Sequence, residues 1–237
     1  LYSMDHAGVN GDLYVWGEYE RTVGVDYWSY ANDFDGVSLA GSERQARVFI
    51  DNLSSAKFSG GTINIIGDSA SSTEIDNQGF GFYELIVSGA TINASYYQTR
   101  NIDFSGLQLL STTNIASIDN GDFLLDIGGG TALSISSTTI DSNSLETISN
   151  CNFAISSGVS SGYNAMVLGS SVSFWSFESI TGALAGEVYD YDFGMTCGGA
   201  RWTDSSCSEV AQVHYRWRND DNNEASATWK VAEDTKV

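Results

Sequence analysis

From Arg47 to Phe177 the chain alternates short apolar bursts with polar punctuation. Arg47–Asp51 (RVFID), Thr62–Ile66 (TINII), Thr73–Asp76 (TEID), Tyr83–Ser88 (YELIVS) and Thr91–Ser95 (TINAS) open the series. It continues through Leu107–Leu110, Phe123–Ile127, Ala132–Ile135, Thr147–Ile155, Ala165–Leu168 and Val172–Phe177. The bursts are rich in β-branched and aromatic residues and are bounded by Gly, Ser, Asn or Asp, the signature of strand and turn. No ten-residue amphipathic stretch with caps interrupts them. The pattern predicts an all-β chain.

Internal similarity selects among all-β architectures. Gly60–Ile65 (GGTINI), Gly89–Ala94 (GATINA) and Gly129–Ser134 (GGTALS) share one motif. Between them recur Glu74-Ile75-Asp76, Asn101-Ile102-Asp103, Ser117-Ile118-Asp119 and Thr139-Ile140-Asp141. The motif spacing is uneven, which suits a right-handed parallel β-helix with turns of about 20–25 residues and variable loops. Inward Ile, Leu and Val would stack turn on turn, with Asn64, Asn93, Asn150 and Asn152 in polar ladders. A β-sandwich is the alternative.

The ends read differently. All six Trp lie outside 29–174: Trp16 and Trp28 in front, Trp175, Trp202, Trp217 and Trp229 behind. Asp12–Arg21 alternates strongly, and Val213–Arg218 with Ala225–Val231 reads as a hairpin around Asn219–Glu224. The expected organisation is an N-terminal strand segment or cap over 1–45, the β-helix over 46–182, and a C-terminal loop and hairpin over 183–237.

Charge and composition narrow the partners. The 237 residues carry 10 Lys and Arg against 30 Asp and Glu, a net charge of −20. Between Phe58 and Ala200 one arginine, Arg100, faces fourteen acidic residues, net −13. Such a surface argues against nucleic acid and anionic membrane, which need clustered Lys and Arg. No run approaches a membrane span, and Leu1 opens no signal-peptide pattern, so the chain reads as a mature product or an excised piece. Proline is absent, as a long ladder that needs every N–H would require.

Candidate chemistry is sparse. Cys197 and Cys207 bracket a Gly/Ser/Thr/Asp loop and are expected to form a disulfide, while Cys151 reads as a buried core residue. The disulfide, the hydroxyl-rich surface and the acidity together point to an extracellular or cell-surface protein. Asp33-Phe34-Asp35-Gly36 and Asp190-Tyr191-Asp192-Phe193-Gly194 place alternate carboxylates before a glycine, half of a Ca²⁺ loop, which makes Asp33, Asp35, Asp190 and Asp192 the candidate ligands. Gly158–Gly162 matches G-x-S-x-G but leads into no helix. Polysaccharide-cleaving enzymes often use a β-helix, and Asp119 with Asp122 is a possible carboxylate pair, yet the N-T-D, G-H-G and R-I-K motifs of polygalacturonase-like enzymes are missing. The chain reads as non-enzymatic.

Four stretches carry a resemblance: Asp26–Gly36 (DYWSYANDFDG), Ser161–Asn164 (SGYN), Gly186–Ser206 (GEVYDYDFGMTCGGARWTDSS) and Tyr215–Thr235 (YRWRNDDNNEASATWKVAEDT). They resemble modules repeated in very large secreted or surface proteins of bacteria, where such stretches punctuate Ser/Gly-rich β-helix segments. The resemblance implies a structural or adhesive building block. The leading expectation is therefore a subunit of an extracellular filament or surface array, a head-to-tail homopolymer. Its junctions would use Leu13, Val15 and Tyr19 at one end and Tyr215, Trp217 and Trp229 at the other. The alternative is a module that binds surface polysaccharide through Tyr27, Trp28 and Trp175; a polysaccharide lyase or hydrolase ranks third.

Overall fold

A computed structural model describes residues 12–15, 18–21, 25–29, 47–77, 79–144, 146–192 and 198–202. Strands follow one another around three faces. The first turn holds β1 (Asp12–Val15), β2 (Glu18–Arg21) and β3 (Val25–Ser29), and the next β4 (Arg47–Ile50), β5 (Ser55–Phe58) and β6 (Thr62–Ile66). Then come β7 (Thr73–Asn77), β8 (Tyr83–Ser88), β9 (Thr91–Thr99), β10 (Ile102–Leu110), β11 (Asn114–Leu125) and β12 (Thr131–Ser136). A six-residue helix, α1 (Ser137–Ser142), precedes β13 (Thr147–Ser149), β14 (Asn152–Ile155), β15 (Tyr163–Leu168) and β16 (Trp175–Glu178). A 3-10 turn (Glu187–Tyr189), β17 (Tyr191–Asp192) and β18 (Ala200–Trp202) close the described coil.

Every pairing is parallel and joins a strand to the one a full turn later. The first face runs β1, β4, β7, the second half of β9, the second half of β11, and β14. The second runs β2, β5, β8, β10, β12, β15, β17. The third runs β3, β6 and the first halves of β9 and β11. It goes on through β13, β16 and β18, with Asp119 of β11 accepting from Ser149 N–H at 2.7 Å. This is the expected parallel β-helix, and the sandwich alternative is set aside because a sandwich is built from antiparallel pairs.

Turn length is less regular than expected. Leu85 pairs with Leu107, 22 residues on, whereas Val25 pairs with Thr62, 37 on. Two of the similar motifs stack in register, Thr62 on Thr91 and Ile63 on Ile92, and Asn93 Nδ2 donates to Asn64 Oδ1 at 2.9 Å. The third, Gly129–Ser134, lies on the second face. The Ile-Asp recurrences scatter as well: Ile75, Ile102 and Ile118 fall on different faces and Thr139-Ile140-Asp141 is helical. Their likeness reflects a shared demand for one inward and one outward residue, not a shared column. The helix forms because Ser136 caps it, its side chain accepting from Thr139 N–H.

The coil also passes both boundaries expected from the sequence. β1, β2 and β3 pair with β4, β5 and β6 as one further turn rather than a separate cap. At the other end β17 and β18 continue the second and third faces beyond residue 183.

Inward columns build the core. On the second face Ala56, Leu85, Leu107, Leu133 and Ala165 stack, beside Phe58, Val87, Leu109, Ile135 and Val167. All ten are buried. Later turns are aromatic inside: Phe123 and Phe153 stack at 4.8 Å, and Phe177 and Trp202 at 4.4 Å. Between the third and first faces a single residue turns the corner. Tyr96, Asn120, Asn150 and Ser179 occupy it on consecutive turns with φ of 52°, 54°, 55° and 55°.

Candidate functional site

The first face carries an outward ladder. Arg47, Glu74, Gln98, Asp122 and Asn152 stand in one register column. Glu74 pairs with Arg47 at 3.3 Å and with Arg100 at 3.7 Å. Asp122 accepts from Gln98 Nε2 at 2.6 Å and from Asn152 Nδ2 at 2.7 Å, and Thr181 Oγ1 reaches Asn152 Oδ1 at 3.3 Å. Asp119 accepts from Ser149 N–H and Oγ and from Ser117 Oγ. The two carboxylates considered as an acid–base pair are thus ladder members, each of whose oxygens accepts at least one hydrogen bond. They lie on either side of the corner at Asn120.

At the end of the coil the core turns polar. Asp192 pairs in register with inward Val167, so a carboxylate follows a column of aliphatic residues. Its Oδ2 accepts from Ala200 N–H at 3.2 Å, and burial raises its pKa against the opposing backbone hydrogen bonds of Ala200 and Gly198. Asp190 Oδ2 accepts from Trp202 Nε1 at 3.2 Å. Burial first, then the charges of Glu187 and Asp192, push its carboxyl up to about 8. The charge of Asp192 reaches Asp190, after burial and Glu187. Among the described residues, however, no group of three or more His, Cys, Asp or Glu is placed to hold a metal ion. Asp33, Asp35, Cys197, Cys207, Tyr215, Trp217 and Trp229 lie outside the described residues.

Leu13, Val15 and Tyr19 pair with Val48, Ile50 and Ala56 on one side only among the described residues, at the first edge of two sheets. Tyr27 and Trp28 sit in register with Asn64 and Ile65. Trp175 requires a correction as a sugar platform. Its side chain is fully buried and its Nε1 donates to Asn143 O at 2.9 Å. The alternation of VSFWSF allowed either face to be the inner one, and the bulkier indole took the core while Phe174 lies under the Arg201 guanidinium, 3.6 Å from Cζ to the ring centre. Cys151 is a buried free thiol, as expected.

Sequence reasoning did not single out the corner between the first and second faces. A cleft of about 310 Å³ opens there, with Ile155, Ser160, Ser161, Tyr163, Leu184 and Tyr189 among its walls. The G-x-S-x-G stretch supplies part of it, and a strand, β15, follows rather than a helix. The signal available in sequence was the run of Gly and Ser between β14 and β15 together with the YDY cluster at 189–191. Neither points to a cleft without the turn-on-turn stacking that brings them side by side. No protein-family model, curated protein or solved structure matches this chain.

Proposed function

We propose that the chain is a structural module of an extracellular filament or cell-surface array, joining copies of itself through its terminal strands. The supporting observation is that the three faces begin on strands β1, β2 and β3, whose outer edges have no partner among the described residues. In a parallel coil each turn is already the template for the next, so the terminal turn of a neighbour can add by the same ladder. Such a contact is heterologous and need not close, which yields a linear polymer. Resemblance to repeated modules of large bacterial surface proteins supports the same setting. The role is non-enzymatic, and Ca²⁺ would serve to screen the −20 of each copy.

Negative-stain imaging of the purified chain at millimolar Ca²⁺ tests this. The expected result is unbranched filaments with an axial repeat of at least ~30 Å, six turns at ~4.8 Å each. Uniform single particles at every concentration would overturn it.

A further inference from the structure

The corner between the first and second faces sets one loop on each turn, at 51–54, 79–82, 100–101, 126–130, 156–162 and 182–190. Large apolar side chains stand exposed along this edge. Leu53 and Phe80 lie on its early loops, Phe104 (52% exposed) beside the middle ones, and Val188 and Tyr189 (38% exposed) on the last. A Cβ on Gly129 would stand 3.7 Å from Phe104 Cε2, and Gly129 also lines the cleft, so the ring lies beside one wall of the cleft. The ring of Tyr163, a cleft wall, packs edge-on against that of Tyr191 at 5.6 Å. Side chains built on Gly128 and Gly158 would meet nothing within 4 Å, which leaves the adjoining loops bare.

The chemistry of these walls selects an occupant. Tyrosine rings and aliphatic carbons offer a flat apolar surface, and Ser160 and Ser161 with the tyrosine hydroxyls offer polar contacts at its rim. A sugar ring presents the complementary pair, an apolar C–H face and a girdle of hydroxyls. Successive loops are spaced by about 4.8 Å along the axis, close to one residue of an extended glycan. Charge disfavours the anionic competitors: fourteen carboxylates against Arg100 in the surrounding segment repel uronates and sulfated glycans.

We infer that this edge binds a neutral, extended polysaccharide, with one sugar seated against Tyr189 in the cleft and the chain running past Phe104 toward Phe80. The inference is independent of the assembly reading, because binding is measured on the chain whether or not filaments form.

Affinity electrophoresis of the full chain in gels containing β-glucan, xylan, galactomannan or polygalacturonate tests it. At least one neutral polymer is expected to retard the chain, and polygalacturonate not. Tyr189→Ala weakens that retardation about tenfold and Phe104→Ala about threefold, the range for loss of a ring-stacking contact. Both side chains are exposed, so melting curves stay unchanged. Val172→Ala, on a different edge and 88% exposed, leaves retardation at the wild-type value. Any of three results overturns the inference: no neutral polymer retards the chain, Tyr189→Ala binds as wild type, or polygalacturonate binds as well as the neutral polymers. An oligolysine peptide that needs Tyr189 where no neutral polymer does would overturn it in favour of a basic peptide ligand.

Discussion

A carboxylate taken out of water resists ionisation, and Asp190 is the chain's strongest described case, its pKa near 8 against an ordinary 3.8. Below the ordinary value both folded and unfolded states hold the proton and the group is neutral to stability. Between about pH 4 and 8 the unfolded state releases it readily while the folded state keeps it, so stability falls as pH rises through this window. Asp103, Glu146 and Asp192 are shifted the same way, chiefly by burial. Asp190→Asn keeps an acceptor for Trp202 Nε1 and removes the charge. Its melting temperature at pH 8 is expected to exceed that of the wild type by about 2–4 °C, the shift of ~1 kcal/mol at this size, after allowance for solvent screening of a half-buried group. At pH 4 the difference shrinks toward zero, and a scanning-calorimetry pH series decides. Cys151 gives a second test. Burial pushes its thiol up to about 12, and Gly121 N–H donates to its sulfur at 3.3 Å. Iodoacetamide should label the Cys151 peptide only under unfolding conditions, and rapid native labelling would contradict the placement. Cys151 was legible in sequence because it sits in an apolar burst. Asp192 was not, because nothing local shows that an aspartate continues the column of Val167.

At the scale of elements, the short bursts located most strands of the coil, since each must bury alternate residues within four to six positions. What they missed is the bend. Thr91–Thr99 crosses a corner on one left-handed residue, Tyr96, without a Gly or a polar run to mark it, whereas Asn120 in Asn114–Leu125 stands in the polar run Asp119-Asn120-Gly121-Asp122. At Tyr96 local composition carries no trace of a one-residue turn, and the stacking of corners above and below fixes it. L-residues other than Asn, Asp and Gly resist this conformation by roughly 1–2 kcal/mol. Asn150 is exposed there, its Nδ2 donating to Ser149 Oγ at 3.4 Å while its backbone N–H donates to Glu178 O at 3.0 Å. Asn150→Gly is therefore expected to leave the melting temperature within about a degree, while Asn150→Val lowers it by several degrees, about 1–2 kcal/mol. Equal melting of the two variants would show that the corner is not held by backbone conformation. Inside the same turns Phe153 touches Phe123, Phe177 and Trp202. Phe153→Ala should cost about 3–5 kcal/mol by urea unfolding, far more than an exposed truncation such as Phe104→Ala.

The whole molecule is where sequence and structure agree on kind and differ on accounting. A parallel coil was legible from burst length, Gly/Ser/Asn punctuation and the absence of proline, but its turns could not be counted from motif spacing because a turn takes from 19 residues (Tyr83 to Ile102) to 37 (Val25 to Thr62). The consequence for assembly is specific. Since β1, β2 and β3 are coil strands, deleting residues 1–20 merely moves the open end back toward β4 and β5, and the shortened coil offers edges of the same kind. A decisive perturbation blocks the edge instead of removing it. In a parallel strand, successive N–H groups point to opposite sides, so of Leu13 and Tyr14 one faces β4 and the other the open edge. Proline at the β4-facing position removes a ladder bond within the fold and costs stability. Proline at the open position leaves the chain folded and deprives an incoming strand of a donor. One of Leu13→Pro and Tyr14→Pro is thus expected to melt near the wild-type temperature yet fail to elongate in light-scattering assays at filament-forming concentration. The other melts lower. Added salt should speed elongation of the wild type by screening −20 per copy, without rescuing the edge-blocked variant, because its missing hydrogen bond is not an electrostatic repulsion. If both variants stay folded and elongate at the wild-type rate, the first-face strand is not the junction, and copies meet through some other surface.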